Sequence, residues 1–388
     1  MRMKKLISSL VAAGLLFPVV VTGCVDIPRE TEAVETQTVP VASLGDFKVG
    51  AIYSGNKRDT EGFTAMHNEA LQAAAQALGV TSIRIIDEVS DDPDDSEEVR
   101  SAVEELVTYG CDIIFDIDFD HMYAFAEAAE EYPDVVFCQY GGYLSNDSNF
   151  INYTGRTYQA YYLAGIAAGY YSISTENDYL GYIRVENEGL SQLNAELNAY
   201  TLGVRSVNPS ASVYLESVDE HAGPEALGEA RNHLTQDIHC DYVFDMSSPD
   251  TLLTYPVVNL QSFYEQAIAT SMNESSASEF VTNMGGNFYG GLYDGFITMS
   301  ELMGGDAVSV SSAIQLTTDL FYSGQFDVFS GMKLSFTTEN GEVSVELVAD
   351  DLVSSDNSVI AEAGEPPLYD SVIRAYTDYY VLGVTDLS

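Results

Sequence analysis

The sequence predicts an α/β protein made of two similar, doubly wound lobes, each built on a parallel sheet. Apolar runs of strand length, such as Ile113–Phe115 and Val135–Phe137, alternate with longer segments of helical pattern between residues 110 and 169. Short continuous apolar strands are typical of parallel sheets whose two faces are both covered by helices. This stretch therefore indicates one complete α/β unit.

A second observation indicates that the unit is present twice. The segment CDIIFD at Cys111–Asp116 recurs as CDYVFD at Cys240–Asp245, and VGAIY at Val49–Tyr53 recurs as LGYIR at Leu180–Arg184. The two offsets, 129 and 131 residues, are nearly equal, as expected for two lobes of similar construction. Chance is the alternative explanation, because strands of parallel sheets draw on few residue types.

The elements of the first lobe follow from apolar periodicity and from the placement of glycines. Gly79 and Gly110 are positioned to end the first two helices, and the second helix carries its apolar residues on one face. We expect strands at Phe47–Tyr53, Ser82–Ile86, Asp112–Phe115 and Val135–Cys138, helices ending at Leu78, Tyr109 and Glu131, and a crossing strand at Ile151–Tyr153.

The second lobe is predicted from the same signals. Its helices are expected at Tyr158–Tyr171, Leu190–Val207, Pro224–Thr235 and Val257–Ala269, and its strands at Tyr179–Val185, Ser212–Glu216 and Tyr242–Phe244. After them we expect a glycine-rich segment at Gly285–Gly291, two helical runs ending at Met303 and near Ser323, a hairpin turning at Glu339–Gly341, a helix at Tyr369–Tyr376 and a strand at Tyr380–Val384. We assign residues 47–153 and 285–327 to the first lobe, and residues 154–284 and 328–388 to the second.

Composition restricts the possible ligands. The chain has 388 residues, of which 46% are hydrophobic, and this is enough to bury two cores. Its formal net charge of −45 repels a phosphate backbone, so nucleic acid is excluded as a partner. Phosphorylated ligands are disfavoured for the same reason, whereas neutral or cationic small molecules are compatible with this charge.

The N-terminal segment has the form of a lipoprotein signal peptide at residues 1–23. Basic residues precede an interrupted apolar run, and Val21–Cys24 places small residues before a cysteine that can receive a lipid. An ordinary signal peptide with an incidental cysteine is the alternative. Residues 24–46 lack hydrophobic periodicity and are predicted to form a flexible tether. We therefore expect a protein anchored through Cys24 to the extracytoplasmic face of the cell membrane.

Catalytic and cofactor signatures are largely absent from the sequence. It has no GxSxG, GxxxxGK or HExxH motif, and no GxGxxG after a strand. Asp116, Asp118, Asp120 and Glu127 occupy positions 1, 3, 5 and 12 of a calcium loop, but His121 stands where that loop needs glycine. The sequence therefore predicts no cofactor and no metal site.

The predicted topology indicates where a ligand would bind. In open parallel sheets the ligand lies at the carboxyl ends of the strands, and two lobes place both sets of ends across one cleft. Carboxylates there can bind hydroxyl or ring N–H groups, and an aromatic ring can stack on a flat ligand. The candidates from these loops are Asp59, Phe63, Asp116, Asp118, Phe119, Tyr140, Glu188, Asp245 and Gly286. For Phe63 a core position is the alternative, and for Asp59 it is helix capping.

Several segments resemble a known family. They are Gly62–His67, Glu130–Phe137, Thr157–Gly165, Val207–Pro209, Ser323–Gly324, Val328–Gly331 and Tyr379–Val384, and TYQAYYLAG at Thr157–Gly165 is the most specific of them. Between about Phe47 and Val384 the chain resembles the basic membrane lipoprotein family. These are substrate-binding lipoproteins of ABC transporters, and their characterised members bind purine nucleosides.

The resemblance implies the type I periplasmic-binding-protein fold, with two lobes joined by crossing strands. It also implies that Asp59, Phe63 and His67 lie at the first ligand loop with its stacking aromatic, and that Asp118 and Phe119 lie on the second ligand loop. Two departures are visible. Phe63 stands where the nearest family branch usually has tryptophan, and the second lobe lacks one strand and one helix.

The sequence therefore predicts a binding protein that closes two lobes around a small neutral ligand, a purine nucleoside, and passes it to an ABC transporter permease. No reaction is expected. Two alternatives remain open at this point: the same fold acting as a sensor or as a binder of a sugar or other small molecule, and a surface hydrolase using paired acids such as Asp116 and Asp245.

Overall fold

The computed structural model describes residues 47–92, 96–186, 190–219, 221–304 and 307–387. The predicted signal peptide, the tether with Cys24 and the candidate residue Glu188 lie outside these described residues. The helices are α1 (Phe63–Leu78), α2 (Ser96–Tyr109), α3 (Met122–Glu131), α4 (Thr157–Thr175), α5 (Leu190–Val207), α6 (Gly223–Asn232), α7 (Leu260–Asn273), α8 (Ala277–Met284), α9 (Ala307–Tyr322) and α10 (Asp370–Tyr376). The strands are β1 (Lys48–Ile52), β2 (Ser82–Ile86), β3 (Ile113–Asp116), β4 (Val136–Tyr140), β5 (Phe150–Gly155), β6 (Tyr179–Glu186), β7 (Ser212–Asp219), β8 (Tyr242–Asp245), β9 (Pro256–Val258), β10 (Phe288–Gly290), β11 (Ile297–Met299), β12 (Met332–Glu339), β13 (Glu342–Ala349), β14 (Leu352–Val353), β15 (Val359–Ala361) and β16 (Val384–Asp386).

The first lobe is built on a six-stranded parallel sheet with the order β10-β5-β4-β3-β1-β2. Alternate residues of each strand face opposite sides, as the two-residue period of a strand requires. Ile113 and Phe115 pack in the cluster that contains α1 and α7, whereas Ile114 packs with α2 and α3. Both faces are therefore buried, which explains the continuous apolar character of β3.

The second lobe has a separate, four-stranded parallel sheet with the order β16-β7-β6-β8. The predicted internal repeat is confirmed, because β1 pairs with β3 in the first sheet exactly as β6 pairs with β8 in the second. Asp116 lies opposite Ile52, and Asp245 lies opposite Ile183. The two aspartates thus end equivalent strands of two sheets, in the same register.

Three segments connect the lobes. They run from β5 to α4, from β8 through β9 to α7, and from β10 through β11 to α9. β9 and β11 pair antiparallel, and the backbone N–H of Arg156 donates to the carbonyl of Gly290 at 2.7 Å. The crossing segments are thus hydrogen-bonded to one another.

The structure corrects the predicted lobe boundaries at two helices. Helix α7 packs against α1 of the first lobe, and its Phe263 ring stacks on Tyr153 of β5 with centroids 3.9 Å apart. Helix α9 packs against α4 of the second lobe, where Phe321 meets Tyr162. Both sheets offer similar apolar faces, so the periodicity of a helix does not show which sheet it covers.

The last strand also differs from the prediction, since β16 begins at Val384 and not at Tyr380. The residues before it are bound to α5 instead. The side chain of Asn198 donates to the carbonyl of Tyr379 at 2.9 Å and accepts from the backbone N–H of Val381 at 2.9 Å. This contact fixes the path of the chain between α10 and β16.

The second lobe is held together by unusually close packing of α4 and α5. A Cβ atom added at Gly165 would lie 2.0 Å from the carbonyl oxygen of Tyr200, and one at Gly203 would lie 2.1 Å from that of Tyr162. The backbones of the two helices are therefore in direct contact. Only glycine can occupy these positions without moving one helix away from the other.

Candidate functional site

An aromatic group lies at the carboxyl ends of the first sheet. The ring of Phe63, at the start of α1, lies 5.5 Å from Tyr140 at the end of β4, and both rings lie within 4.8 Å of His67. Phe63 is 45% exposed, so it is not the core residue that the alternative reading required. Phe63 and Tyr140 together form an aromatic surface that a flat ligand can reach.

His67 supports this surface from below. It is fully buried, its Nδ1 lies 2.7 Å from the hydroxyl of Tyr264, and its Nε2 has no hydrogen-bond partner. Burial lowers the pKa of His67 to about 3, so the imidazole is neutral. Its predicted place at the first ligand loop stays a prediction, and in this structure its ring packs beneath Phe63 and Tyr140.

Asp116 does not face a ligand, because its carboxylate is engaged by His121. Nδ1 of His121 lies 3.1 Å from both carboxylate oxygens, and Nε2 lies 2.9 Å from the carbonyl oxygen of Ser90. The backbone N–H of Asp118 donates to the same carboxylate at 2.9 Å. Both side chains of the pair are buried, so Asp116 anchors the loop after β3 and is not a free ligand acceptor.

The surroundings of His121 favour its doubly protonated form. Nε2 faces a carbonyl, which only accepts, and Nδ1 faces a carboxylate. Burial lowers the pKa of His121, but the Asp116 charge and its hydrogen bond outweigh burial, and the pKa rises to about 9. Burial raises the pKa of Asp116, and the imidazolium opposes this shift. The pair is therefore a buried imidazolium–carboxylate ion pair.

Because of this ion pair, we expect the stability of the protein to depend on pH. Because the pKa of His121 is raised above its ordinary value of 6.5, its contribution to stability is complete below about pH 6.5 and is lost as pH rises through about 9. NMR titration of the imidazole measures this directly. In Asp116→Asn the charge is removed while burial remains, so the titration should move below 6.5. A midpoint near 6.5 in the unaltered protein would contradict the assignment.

The loop after β3, predicted to be the second ligand loop, carries one exposed aromatic ring. Phe119 is 50% exposed, and its ring lies 6.2 Å from that of Tyr143. The side chain of Gln139 donates to the carbonyl of Asp118 at 2.8 Å, which fixes the loop on β4. Asp118 is itself half-buried, with one carboxylate oxygen accepting from the backbone N–H of Asp120 at 3.0 Å. Asp118 and Phe119 thus lie together on one ordered loop.

The other predicted residues have local roles. Asp59 is exposed and does not cap α1, whose N-cap is Gly62. Gly286 follows Gly285, the C-cap of α8, and its backbone N–H donates to the carbonyl of Val281 at 3.0 Å. Asp245 is buried and accepts from Arg231 at 2.6 Å and from the backbone N–H of Ser247 at 2.9 Å. The structure therefore does not bring Asp245 to Phe63 as a free carboxylate.

Sequence reasoning missed two charged residues of the second lobe, Glu196 and Arg374. Arg374 donates to the carbonyl of Gly141, the residue after Tyr140. Burial raises the pKa of Tyr140, the charge of Arg374 lowers it, and the charge of Glu196 raises it further. Glu196 belongs to α5 and Arg374 to α10, both in the second lobe. The available signal was the spacing of the polar residues Asn194, Glu196 and Asn198, which all lie in the buried part of α5, where polar side chains are uncommon.

Arg374 joins the two lobes directly. Its guanidinium donates to the carbonyl of Gly141 at 2.5 Å and to that of Gly142 at 3.2 Å, in the turn that follows β4. A cavity of only about 10 Å³ remains beside it, lined by residues of both lobes that include Thr157, Gln192 and Tyr289. This volume is about that of one water molecule, so the lobes meet closely at the inner end of the cleft.

Two features are absent from the part of the chain that the structure describes. No helix there is both long enough and apolar enough to span a bilayer. No group of three or more His, Cys, Asp or Glu side chains in those residues has the arrangement of a metal site.

The comparisons agree with this geometry. The model of the Bmp family, described as PnrA-like ABC transporter substrate-binding protein, matches residues 47–245, just over half of the chain. The Haloferax volcanii protein TsgA13, provisionally named as an ABC transporter glucose-binding protein, is 31% identical over 216 residues, 56% of this chain and 49% of its own length. A purine-binding protein of Brucella abortus is 28% identical over 188 residues, 48% of this chain and 51% of its own. The chain thus spans about half the length of these relatives.

Solved structures support the fold. An ABC transporter solute-binding protein from Conexibacter woesei superposes with a TM-score of 0.55 at 17% identity, covering 72% of this chain and 98% of its own. A transcriptional activator of the comK gene from Bacillus halodurans superposes with a TM-score of 0.57 at 17% identity, covering 72% and 99%. The chain has the type I periplasmic-binding-protein fold, as the resemblance implied.

Proposed function

The chain belongs to the Bmp family of PnrA-like ABC transporter substrate-binding proteins, and on this premise we propose that it binds a purine nucleoside outside the cytoplasm and delivers it to a membrane permease. The observation that supports the ligand class is the half-exposed ring of Phe63, held beside Tyr140 at the strand ends. Such a ring is a stacking surface for a nucleobase in a cleft that a second lobe can close.

Charges around the cleft favour a neutral ligand. Arg156 is paired with Asp370 at 2.8 Å, and Arg231 is paired with Asp245 at 2.6 Å, so these guanidinium groups are already compensated. The formal net charge of −45 also disfavours anions. A nucleoside, in contrast to a nucleotide, fits both conditions.

We propose membrane attachment through a lipid on Cys24, with residues 24–46 as the tether. The support is the pattern Val21–Cys24 after a basic and apolar leader. Attachment would keep the binding protein at a high effective concentration near its permease, because a short flexible tether confines it to a small volume.

The stacking role is tested by replacing Phe63 with alanine. We expect the affinity for adenosine or guanosine, measured by calorimetry, to fall about 10-fold or more, since stacking on an aromatic ring contributes about 1–3 kcal/mol per base. The control is Tyr179→Ala, because Tyr179 is similarly exposed but begins β6 at the opposite end of the strand. Equal affinities for Phe63→Ala and the unaltered protein would contradict stacking at this ring.

Sugar binding is the second candidate. It is favoured by the name of the Haloferax volcanii relative, which assigns glucose as that protein's ligand. An aromatic ring beside carboxylates also suits a sugar, whose apolar face can pack on Phe63 or Phe119. Titration with adenosine, guanosine, inosine, uridine and glucose separates the two candidates, and absence of heat with every nucleoside would reject the first.

The hydrolase alternative receives no support from the two acids that it requires. Glycoside chemistry needs one carboxyl group as a proton donor and another that is free to attack or to activate water. Asp116 is bound to His121, and Asp245 is bound to Arg231, each within its own lobe. Neither carboxylate is free for that reaction.

A further inference from the structure

A buried carboxylate lies on the second-lobe side of the junction, and none of its hydrogen-bond partners among the described residues is cationic. Glu196 is only 7% exposed, and its Oε1 accepts from the hydroxyl of Thr157 at 2.6 Å and from the amide of Gln192 at 3.5 Å. Tyr161 supplies a further hydroxyl. All of these donors are neutral hydroxyl or amide groups.

Glu196 differs in its partners from Asp116 and Asp245, the buried acids at the strand ends. Asp116 is paired with His121 and Asp245 with Arg231, whereas burial raises the pKa of Glu196 and only neutral donors oppose it. A buried carboxylate without a counter-charge is costly to maintain, and such groups concentrate at functional sites. A carboxylate accepts about four hydrogen bonds, so acceptor capacity remains after the protein's own donors are counted.

The position of Glu196 relates it to the aromatic surface. Glu196 accepts from Thr157 and Gln192, and both of these residues line the small cavity where the lobes meet. Arg374 lines the same cavity and donates to the carbonyl of Gly141, the residue after Tyr140. A molecule that stacks on Phe63 beside Tyr140 would therefore meet this carboxylate when the second lobe closes. A cationic group is disfavoured there, because the guanidinium of Arg374 already lies at the cavity. The remaining donors are uncharged N–H or O–H groups.

We propose that Glu196, supported by Thr157 and Gln192, is the second-lobe residue that accepts hydrogen bonds from a vicinal diol of the ligand. The inference rests on the proposed function only in requiring a ligand bound between the lobes. The same diol chemistry is present in the ribose of a nucleoside and in a free hexose. Phe63 then holds the flat or apolar part of the ligand, while Glu196 selects for its hydroxyl groups.

The experiment is a calorimetric titration of the full-length protein and of Glu196→Gln with adenosine, 2′-deoxyadenosine, adenine and glucose. The unaltered protein should bind adenosine at least 10-fold more tightly than 2′-deoxyadenosine, because the latter lacks one hydroxyl of the diol. In Glu196→Gln this ratio should fall to near one. The matched control is Asp327→Asn, a carboxylate whose pKa burial also raises, to about 6, and it should leave the ratio unchanged.

The outcomes separate this inference from the proposed function. One outcome is that the protein binds glucose but not adenosine, and that Glu196→Gln weakens glucose binding at least 10-fold. This result would support the diol site and reject a nucleoside as the ligand. If adenine and 2′-deoxyadenosine bind as tightly as adenosine, the diol site is wrong, whereas the proposal of a purine ligand still holds. Should Glu196→Gln fail to fold, Thr157→Val removes the donor that orients the carboxylate, and an unchanged adenosine to 2′-deoxyadenosine ratio in that variant would also overturn the inference.

Discussion

Replacing Gly203 with alanine is expected to lower the free energy of unfolding by about 3 kcal/mol, at the upper end of the usual cost of overpacking. The added Cβ would lie 2.1 Å from the carbonyl oxygen of Tyr162, and that atom belongs to the backbone of α4. No side-chain rotation can relieve the contact, so the two helices must separate. Separation would also displace Thr157 and Glu196, which these helices carry.

Chemical denaturation measures this change, and a second glycine provides the matched control. Gly228 lies within α6, and a Cβ atom added there would meet no atom within 4 Å. Gly228→Ala should therefore keep or raise the stability by about 0.5–1 kcal/mol, since alanine is the better helix former. A loss below 1 kcal/mol in Gly203→Ala would show that the α4 and α5 backbones do not touch as described.

Replacing Arg374 with methionine is expected to open the cleft. The two hydrogen bonds from its guanidinium to the carbonyls of Gly141 and Gly142 join α10 of the second lobe to the turn after β4 of the first. Hydrogen bonds from a charged group contribute about 1.5–3 kcal/mol each, so removing both shifts the open–closed equilibrium by about 3 kcal/mol or more. The affinity for a ligand enclosed by both lobes should fall in proportion to the lost closed population.

Small-angle X-ray scattering of the ligand-free protein measures the opening as a larger radius of gyration. Arg205→Met is the matched control, because Arg205 is also half-buried and donates to a carbonyl, that of Ala211 at 2.7 Å, but within the second lobe. Arg205→Met should leave the radius of gyration unchanged. If Arg374→Met likewise leaves it unchanged, the contact with Gly141 and Gly142 does not hold the lobes together.

The candidate site could be predicted from the sequence only on the first-lobe side of the cleft. Phe63, the loop with Asp118 and Phe119, and Tyr140 lie at the carboxyl ends of β1, β3 and β4, which are neighbours in the first sheet, so parallel topology places them at one edge. On the second-lobe side, the predicted acid Asp245 is occupied by Arg231, and Glu196 was missed. Topology locates strand ends, but it does not show which carboxylate already has a partner.

The sequence by itself determined the α/β class and the presence of two similar lobes. These properties depend on local apolar patterns and on a repeat within the chain, which are legible one segment at a time. Only the tertiary structure decided that α7 returns to the first lobe, that His121 neutralises Asp116, and that Arg374 bridges the cleft. Each of these depends on contacts with groups from other elements of the fold, and local periodicity contains no information about such partners.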